Sequence, residues 1–238
     1  IALACGSHSG SKLHSREAFK ILWEYDIDIN NLKCPKTKTS ALEHNCSGKH
    51  AAFLATCKKM NWPLDSYLKG DHPLQIEIFR IVSELLEIPS SEIIAERDDC
   101  GAPTLYLKLL EMSRLYSLLS SSENAELEQI SRAMTINPTM ISDNNKFDTE
   151  IIKASHGNVI GKGGAEGIQC LCKVNEGIGL ALKVEDGSKR AKHAVSLHIL
   201  KQLEWISDLR IQDIEEKVFN FSEGVRLEVK GKVKFQES

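Results

Sequence analysis

The chain has 238 residues, 42% of them hydrophobic, and a formal net charge of −3. That length supports one full core, with room for an appended lobe. The near-neutral charge and the lack of a long basic run argue against a nucleic-acid partner, and no apolar stretch reaches transmembrane length. Seven cysteines, at positions 5, 34, 46, 57, 100, 170 and 172, are odd in number and irregular in spacing. A reducing, cytoplasmic compartment fits them better than a disulfide framework, with most thiols acting as small buried hydrophobes.

The opening "IALACGSHSG" reads as a buried strand entering a polar turn. It has neither the basic region nor the Met of a signal peptide. A buried strand at the first residue is unusual, because termini are mostly peripheral. The expectation is therefore that further sequence precedes Ile1. "SREAFKILWEY" (Ser15 to Tyr25) has helical periodicity, with Ser15 as N-cap and Phe19, Leu22 and Trp23 on the buried face. "GKHAAFLATCKKM" is a second helix, ended by the turn Asn61 to Pro63. "DHPLQIEIFRIVSELLEI" is a third, opened by Asp71 and Pro73. "TLYLKLLEMSRLYSLL" and "NAELEQISRAMTI" follow as helices. Then the period changes. "NVIGK", "GIQCLCKV" and "GIGLALKV" are short runs bounded by Gly and Asn, as strands are. "DGSKRAKHAVSLHILKQLEWI" is a long helix capped by Asp186 or Ser188, and "RLEVKGKVKF" a terminal strand or hairpin. Helices in the middle and strands joined by short turns later predict an α+β fold, an antiparallel sheet with packed helices. The first strand is expected to pair with the C-terminal strands.

Four stretches carry reactive side chains. In "NCSGKH" (Asn45 to His50), a helix start at Gly48 would point Cys46 and Lys49, or Cys46 and His50, to one side. Free N–H groups at such a start favour a thiolate or a substrate carboxylate. The plainer alternative is a Ser-Gly helix start with an exposed Lys49 and a buried Cys46. In "DDCGAPT" (Asp98 to Thr104), a turn would hold Cys100 at an element end. Cys46 and Cys100 could meet as two thiolate ligands of zinc, although the spacing is not that of a zinc finger and the two can equally be unrelated. "ACGSHSG" places Ser7, His8 and Ser9 after an apolar run, either as catalytic groups or as polar caps of a turn. "GKGGAEG" places Lys162 among glycines that admit close backbone approach. It reads as a desolvated base for a serine or as a solvated lysine in a hairpin. The stretch lacks the spacing of a phosphate-binding loop.

Taken together and in order, "ACGSHSG", "HNCSGKH", "DHPLQ", "DDCGAPT", "GKGGAEG" and "LALKVEDG" resemble the Rhizobium-type (class 3, asparaginase II) L-asparaginases. The likeness is strong from Ile1 to Gly187 and loose in the tail. It implies one asparaginase-like domain over residues 1–238, a fold similar to serine β-lactamases and glutaminases, and hydrolysis of the L-asparagine side-chain amide by Ser–Lys chemistry. It assigns Ser7 and Lys162 to catalysis, His50 and Asp98 to substrate binding, and Cys46, Lys49 and Cys100 to zinc, with Lys49 neutral when it ligates. The strands carrying Ser7 and Lys162 should then be neighbours in one sheet. A homodimer is the expected assembly, with a small-molecule substrate, no organic cofactor and no nucleic-acid or membrane partner.

Three departures from the family pattern stand out. Asp99 replaces a glycine in "DGC", which would strain the backbone if that position needs positive φ. Ser11 replaces an acid after "SHSG". The family's Ser-x-x-Lys segment precedes its "ASHSG". Here the spacing occurs only at Ser9–Lys12 and Ser66–Lys69, neither placed as in the family. The 238 residues therefore read as a fragment of a longer asparaginase, expected to turn over asparagine poorly alone. A glutaminase-like acyl hydrolase and a non-catalytic zinc-binding relative are the alternatives.

Overall fold

The computed structural model describes residues 1–37, 39–219 and 227–234. Helices with short antiparallel sheets make it an α+β fold. The chain divides into two compact units, Ile1–Glu111 with Met140–Ser142, and Met112–Thr139 with Asp143–Ser238.

The first unit begins with a correction. Ala2–Cys5 is a 3-10 turn and not a strand. An apolar run this short cannot distinguish the two by periodicity, and the backbone beyond it is already committed. The Ser7 N–H donates to Ile141 O at 2.7 Å, and the Ser9 N–H to Ser142 O at 3.1 Å. Helix α1 (Lys12–Glu24) is capped four residues before the expected cap, Ser15. Ser11 is its N-cap, and Ser11 and His14 cap each other reciprocally. Its buried stripe is His14, Ala18 and Leu22, spaced i, i+4, i+8. Phe19 and Trp23 are exposed instead.

Helix α2 (Ser47–Met60) ends on Asn61 in the left-handed conformation. Its Ala51, Leu54 and Cys57 enter a core with Leu22, Tyr67 and Leu74. Helix α3 (Pro73–Leu86) has proline in its first turn. His72 is the N-cap, its ring accepting from the Leu74 N–H, so Asp71 stands one residue outside. Strands β1 (Ile94–Arg97) and β2 (Pro103–Tyr106) form an antiparallel pair in register Ile94 with Tyr106. That pairing claims Thr104 to Tyr106, which local pattern assigns to a helix. Helix α4 (Leu109–Ser120) starts only afterwards.

The second unit holds α5 (Ala125–Ile136), capped by Asn124, and α7 (Phe147–Ala154), with the short α6 (Pro138–Ile141) lying between them in sequence. Strands β3 (Val159–Gly163), β4 (Ile168–Lys173) and β5 (Ile178–Lys183) form an antiparallel meander. Lys162 pairs with Cys170, so it lies within β3 and not beyond it. β3 is hydrogen-bonded to β4, and Ser7 is not in a strand, so the two do not lie on neighbouring strands of one sheet. Helix α8 (Lys189–Gln202) is capped by Ser188, whose Oγ accepts from the Ala191 N–H. It packs on β4 and on α9 (Asp208–Val218), while α7 packs on β3 and α9. Ile151, Val159, Leu171, Leu197, Leu200 and Ile214 fill the space between these elements. The expected terminal strand is not formed over 227–234, where Val233 N–H instead donates to Gln202 Oε1 at 2.9 Å. Arg226 and Phe235 lie outside the described residues.

His193 on α8 stacks flat on Phe147, with ring centroids 4.0 Å apart. Burial, reinforced by the neighbouring Lys192 ammonium, pushes its pKa from 6.5 down to about 4. Folding thus favours the neutral ring. Its contribution to stability is complete above the unfolded-state value and is lost as pH falls toward the folded-state value. His193→Phe is expected to keep the stack and to flatten the stability curve between 6.5 and about 4. Denaturant midpoints of both proteins across that range test this, and parallel curves would refute it.

Candidate functional site

Five of the residues singled out in the sequence come together in the first unit. Cys46 occupies the N-cap of α2 and makes no side-chain cap bond to the helix. Its sulfur therefore sits where the helix dipole favours negative charge. Lys49, one turn on, holds Asp98 Oδ2 at 3.2 Å. Asp98 opens the tight turn between β1 and β2. Its Oδ1 accepts from the Cys100 N–H at 2.9 Å, and its carbonyl accepts from the Gly101 N–H at 2.9 Å. Positive φ in this turn falls on Gly101, at 83°, and not on Asp99, so the Asp-for-Gly exchange brings no left-handed strain.

The turn carries Cys100 to Cys46, and the two thiols share a hydrogen bond. That bond, helped by the Lys49 ammonium, pulls the Cys46 pKa down to about 7 against the cost of burial. The same bond, together with burial, pushes Cys100 up. One thiolate and one thiol thus share a proton, with Cys46 as the ionised partner. Burial opposes the charge on Lys49, but the two sulfurs and Asp98 outweigh it and hold its pKa above the usual lysine value. Burial likewise opposes the charge on Asp98, and its bond to Cys100 and the Lys49 charge more than compensate.

His50 is fully buried behind this group. Tyr67 Oη accepts from the Lys33 N–H at 3.0 Å and bonds His50 Nδ1 at 2.7 Å. A phenol that donates to Nδ1 leaves the imidazole hydrogen on Nε2. That atom is buried without a conventional hydrogen-bond partner among the described residues, and the side chain it meets is Cys100, whose thiolate it favours. Two thiols and an amine are a donor set that suits zinc, with the His50 Nε2–H beside Cys100 placed to orient that sulfur. Among the described residues, no group of three or more His, Cys, Asp and Glu is arranged to hold a metal. A zinc ion at this place would take its third ligand from Lys49, after displacing the proton that now pairs with Asp98.

Ser7 is exposed, and its Oγ accepts from Asn45 Nδ2 at 2.9 Å. Asn45 precedes Cys46, so one short segment serves both the hydroxyl and the thiol. The sequence alone gives Asn45 no role. Its only mark is its place in "HNCSGKH". His8 is buried and not catalytic in placement. Its Nδ1 accepts from the Gly10 N–H at 3.1 Å, and its Nε2 bonds Ser47 Oγ at 3.1 Å. Ser47 Oγ spends its own hydrogen on Leu42 O, so His8 is the donor in that pair.

Lys162 lies in the second unit, half-buried, with Nζ on the carbonyl of Gly163. Beside it stands a polar cluster that the sequence did not reveal. Asp148 of α7 accepts from the Gly163 N–H and from Gln169 Nε2, each at 2.9 Å. Lys192 of α8 is 4% exposed. Its ammonium contacts the turn after Lys162. The signals were an acid in "FDTE" and a lysine on a helix face, and neither differs in sequence from an ordinary solvated charge.

The sequence profile of the L-asparaginase II family matches residues 1–235. No curated protein matches the chain.

The thiol pair makes a direct prediction. Cys46, with a pKa near 7, should alkylate fastest in a metal-free sample at mildly alkaline pH. Cys34 and Cys172, pushed by burial to about 12, and Cys57 and Cys170, pushed to about 11, should lag far behind. Cys100→Ala should slow Cys46, because its hydrogen-bond donor is gone. Peptide mapping after timed iodoacetamide exposure reads both effects, and an unchanged Cys46 rate in the variant would contradict the shared proton.

Proposed function

Because the chain belongs to the L-asparaginase II family, and so is an amidohydrolase acting on asparagine, we propose that it cleaves the side-chain amide of L-asparagine by Ser–Lys chemistry. A serine hydroxyl attacks the amide carbon while a neutral lysine amine takes its proton. The C–N bond then breaks, the lysine returns the proton, and ammonia leaves. Water cleaves the resulting ester to give L-aspartate and free serine. Ser7 serves as nucleophile or proton relay. Its Oγ accepts from Asn45 and so keeps its own hydrogen to give. Lys162 is the base assigned to it.

Asp98 suits the substrate's α-ammonium group, being ionised, partly accessible and held by Lys49. His50 is placed differently. Fully buried between Tyr67 and Cys100, it acts on the thiol and has no open face for substrate. Cys46, Lys49 and Cys100 are the proposed zinc ligands. The ion would supply a fixed positive charge and Lewis acidity there, and no organic cofactor is required. The observation that carries this reading is the convergence of Cys46, Lys49, Asp98 and Cys100 from two distant stretches onto one place.

A cytoplasmic location is part of the proposal, supported by seven free thiols. Among the described residues no helix is long and apolar enough to cross a membrane. A homodimer is proposed as well, and the exposed Phe19 and Trp23 on α1 offer apolar surface for one.

Ammonia release from L-asparagine by the full-length protein, with L-glutamine alongside, is the primary test. Ser7→Ala and Lys162→Met should each lower kcat by about 100-fold or more. Full turnover by either variant would remove that residue from the mechanism, and a preference for glutamine would favour the glutaminase-like reading. The metal arm is independent of turnover. The protein should bind about one zinc per chain, and Cys46→Ala or Cys100→Ala should abolish binding in equilibrium dialysis. Undiminished zinc in either variant would place the ion elsewhere.

A further inference from the structure

Lys162 is the lysine that the proposed mechanism uses. Thirty residues on, Lys192 is more deeply buried and has no task in it. Its Nζ donates to Gly164 O and to Ile168 O, both at 2.9 Å. Those two carbonyls flank the turn that joins β3 to β4, Gly164 after β3 and Ile168 at the start of β4, and the turn also closes through Gly164 N–H to Ile168 O at 2.9 Å. From the other side, Asp148 Oδ2 accepts the Gly163 N–H at 2.9 Å, and Oδ1 accepts from Gln169 at 2.9 Å. Gly163 makes this possible. A Cβ there would lie 2.8 Å from Lys192 Nζ and 3.4 Å from Asp148 Oδ2. Ammonium and carboxylate thus close on the backbone across a bare Cα, directly after Lys162.

We propose that Asp148 and Lys192 are positioning residues, a charged clamp on Gly163 and Gly164 that aims the Lys162 amine. This rests on Lys162 being the base assigned above. Buried charges seldom stabilise a fold more than apolar groups of the same shape, and removing one leaves the other with less compensation. What this pair does achieve is geometric. Two hydrogen bonds, one from each of two helices, hold the two residues that follow Lys162, a third ties Lys192 to Ile168, and a misplacement of about 1 Å at a reacting group can cost about 100-fold in rate. The Lys162 amine also lies close enough to lower the pKa of Lys192, adding to the larger effect of burial, while Asp148 opposes both.

The test is a double-mutant cycle in the full-length protein, with ammonia release followed at high enzyme concentration and thermal midpoints recorded. Lys192→Met should lower kcat about tenfold to 100-fold while KM stays within about twofold, because the clamp touches no substrate. In a Lys162→Met background the same change should cost nothing further. An equal loss in both backgrounds, or a KM effect with kcat unchanged, would overturn the clamp while leaving Lys162 as base. Full activity of Lys162→Met alone would instead overturn the base assignment and the clamp with it. Where Lys192→Met does not fold, Asp148→Asn replaces it. That variant keeps an oxygen for the Gly163 N–H and lets Gln169 turn its amide to accept. It should show the same coupling to Lys162, and additivity there would equally count against the proposal.

Discussion

How closely the first turn of α2 can approach the backbone of the chain's opening residues decides where Cys46, Lys49 and Asn45 stand relative to Ser7. Gly48 in that turn has no Cβ because one would lie 2.4 Å from Leu3 O. Gly6 lies against Met140 O, where a Cβ would come within 2.5 Å. Gly10, at φ 68°, lies against Glu43, where a Cβ would reach the carbonyl oxygen at 1.9 Å. These contacts are between backbones, so no side-chain adjustment could relieve a larger residue. The approach sets Asn45 beside Ser7 and Cys46 at the bare end of the helix. The placing of Ser7 beside Asn45 and of Cys46 at the helix start follows from these close approaches.

The two units bury charge in different ways. In the first, a sulfur pair, an amine and a carboxylate lie together, and the net result is one thiolate, one ammonium and one carboxylate around a shared proton. Such a group answers to its contents, since removing the proton or the amine's charge changes every neighbour. A divalent cation is the partner that suits two sulfurs and a neutral amine at once. In the second unit the charges of Asp148 and Lys192 are spent on three backbone groups and the side-chain amide of Gln169, in fixed geometry. The first arrangement can bind something. The second holds something still.

The departures from the family pattern find local physical roles. Ser11, where the pattern has an acid, is the N-cap of α1 and bonds reciprocally with His14. A hydroxyl at that position satisfies a helix N–H as a carboxylate would. Asp99, where the pattern has glycine, does not adopt positive φ, because Gly101 takes the left-handed position of that turn.

The sequence by itself determined the class of fold, the β3–β5 meander, the helices α2, α5 and α8, and the family to which the chain belongs. Those rest on periodicity and on short-range turn chemistry, which neighbouring residues carry. It also named Cys46, Lys49, Asp98 and Cys100, because chemistry-bearing types stand close together in two short stretches. Only the tertiary structure decided which alternatives hold. Ala2–Cys5 became a 3-10 turn because the backbone at Ser7 and Ser9 bonds residues about 130 positions away. Thr104 to Tyr106 became a strand because β1 was there to pair with them. Phe19 and Trp23 turned outward because α1 packs its His14, Ala18 and Leu22 face against α2. Asn45, Tyr67, Asp148 and Lys192 were silent in sequence, since a polar residue's role depends on burial and on partners far along the chain, and neither is written locally.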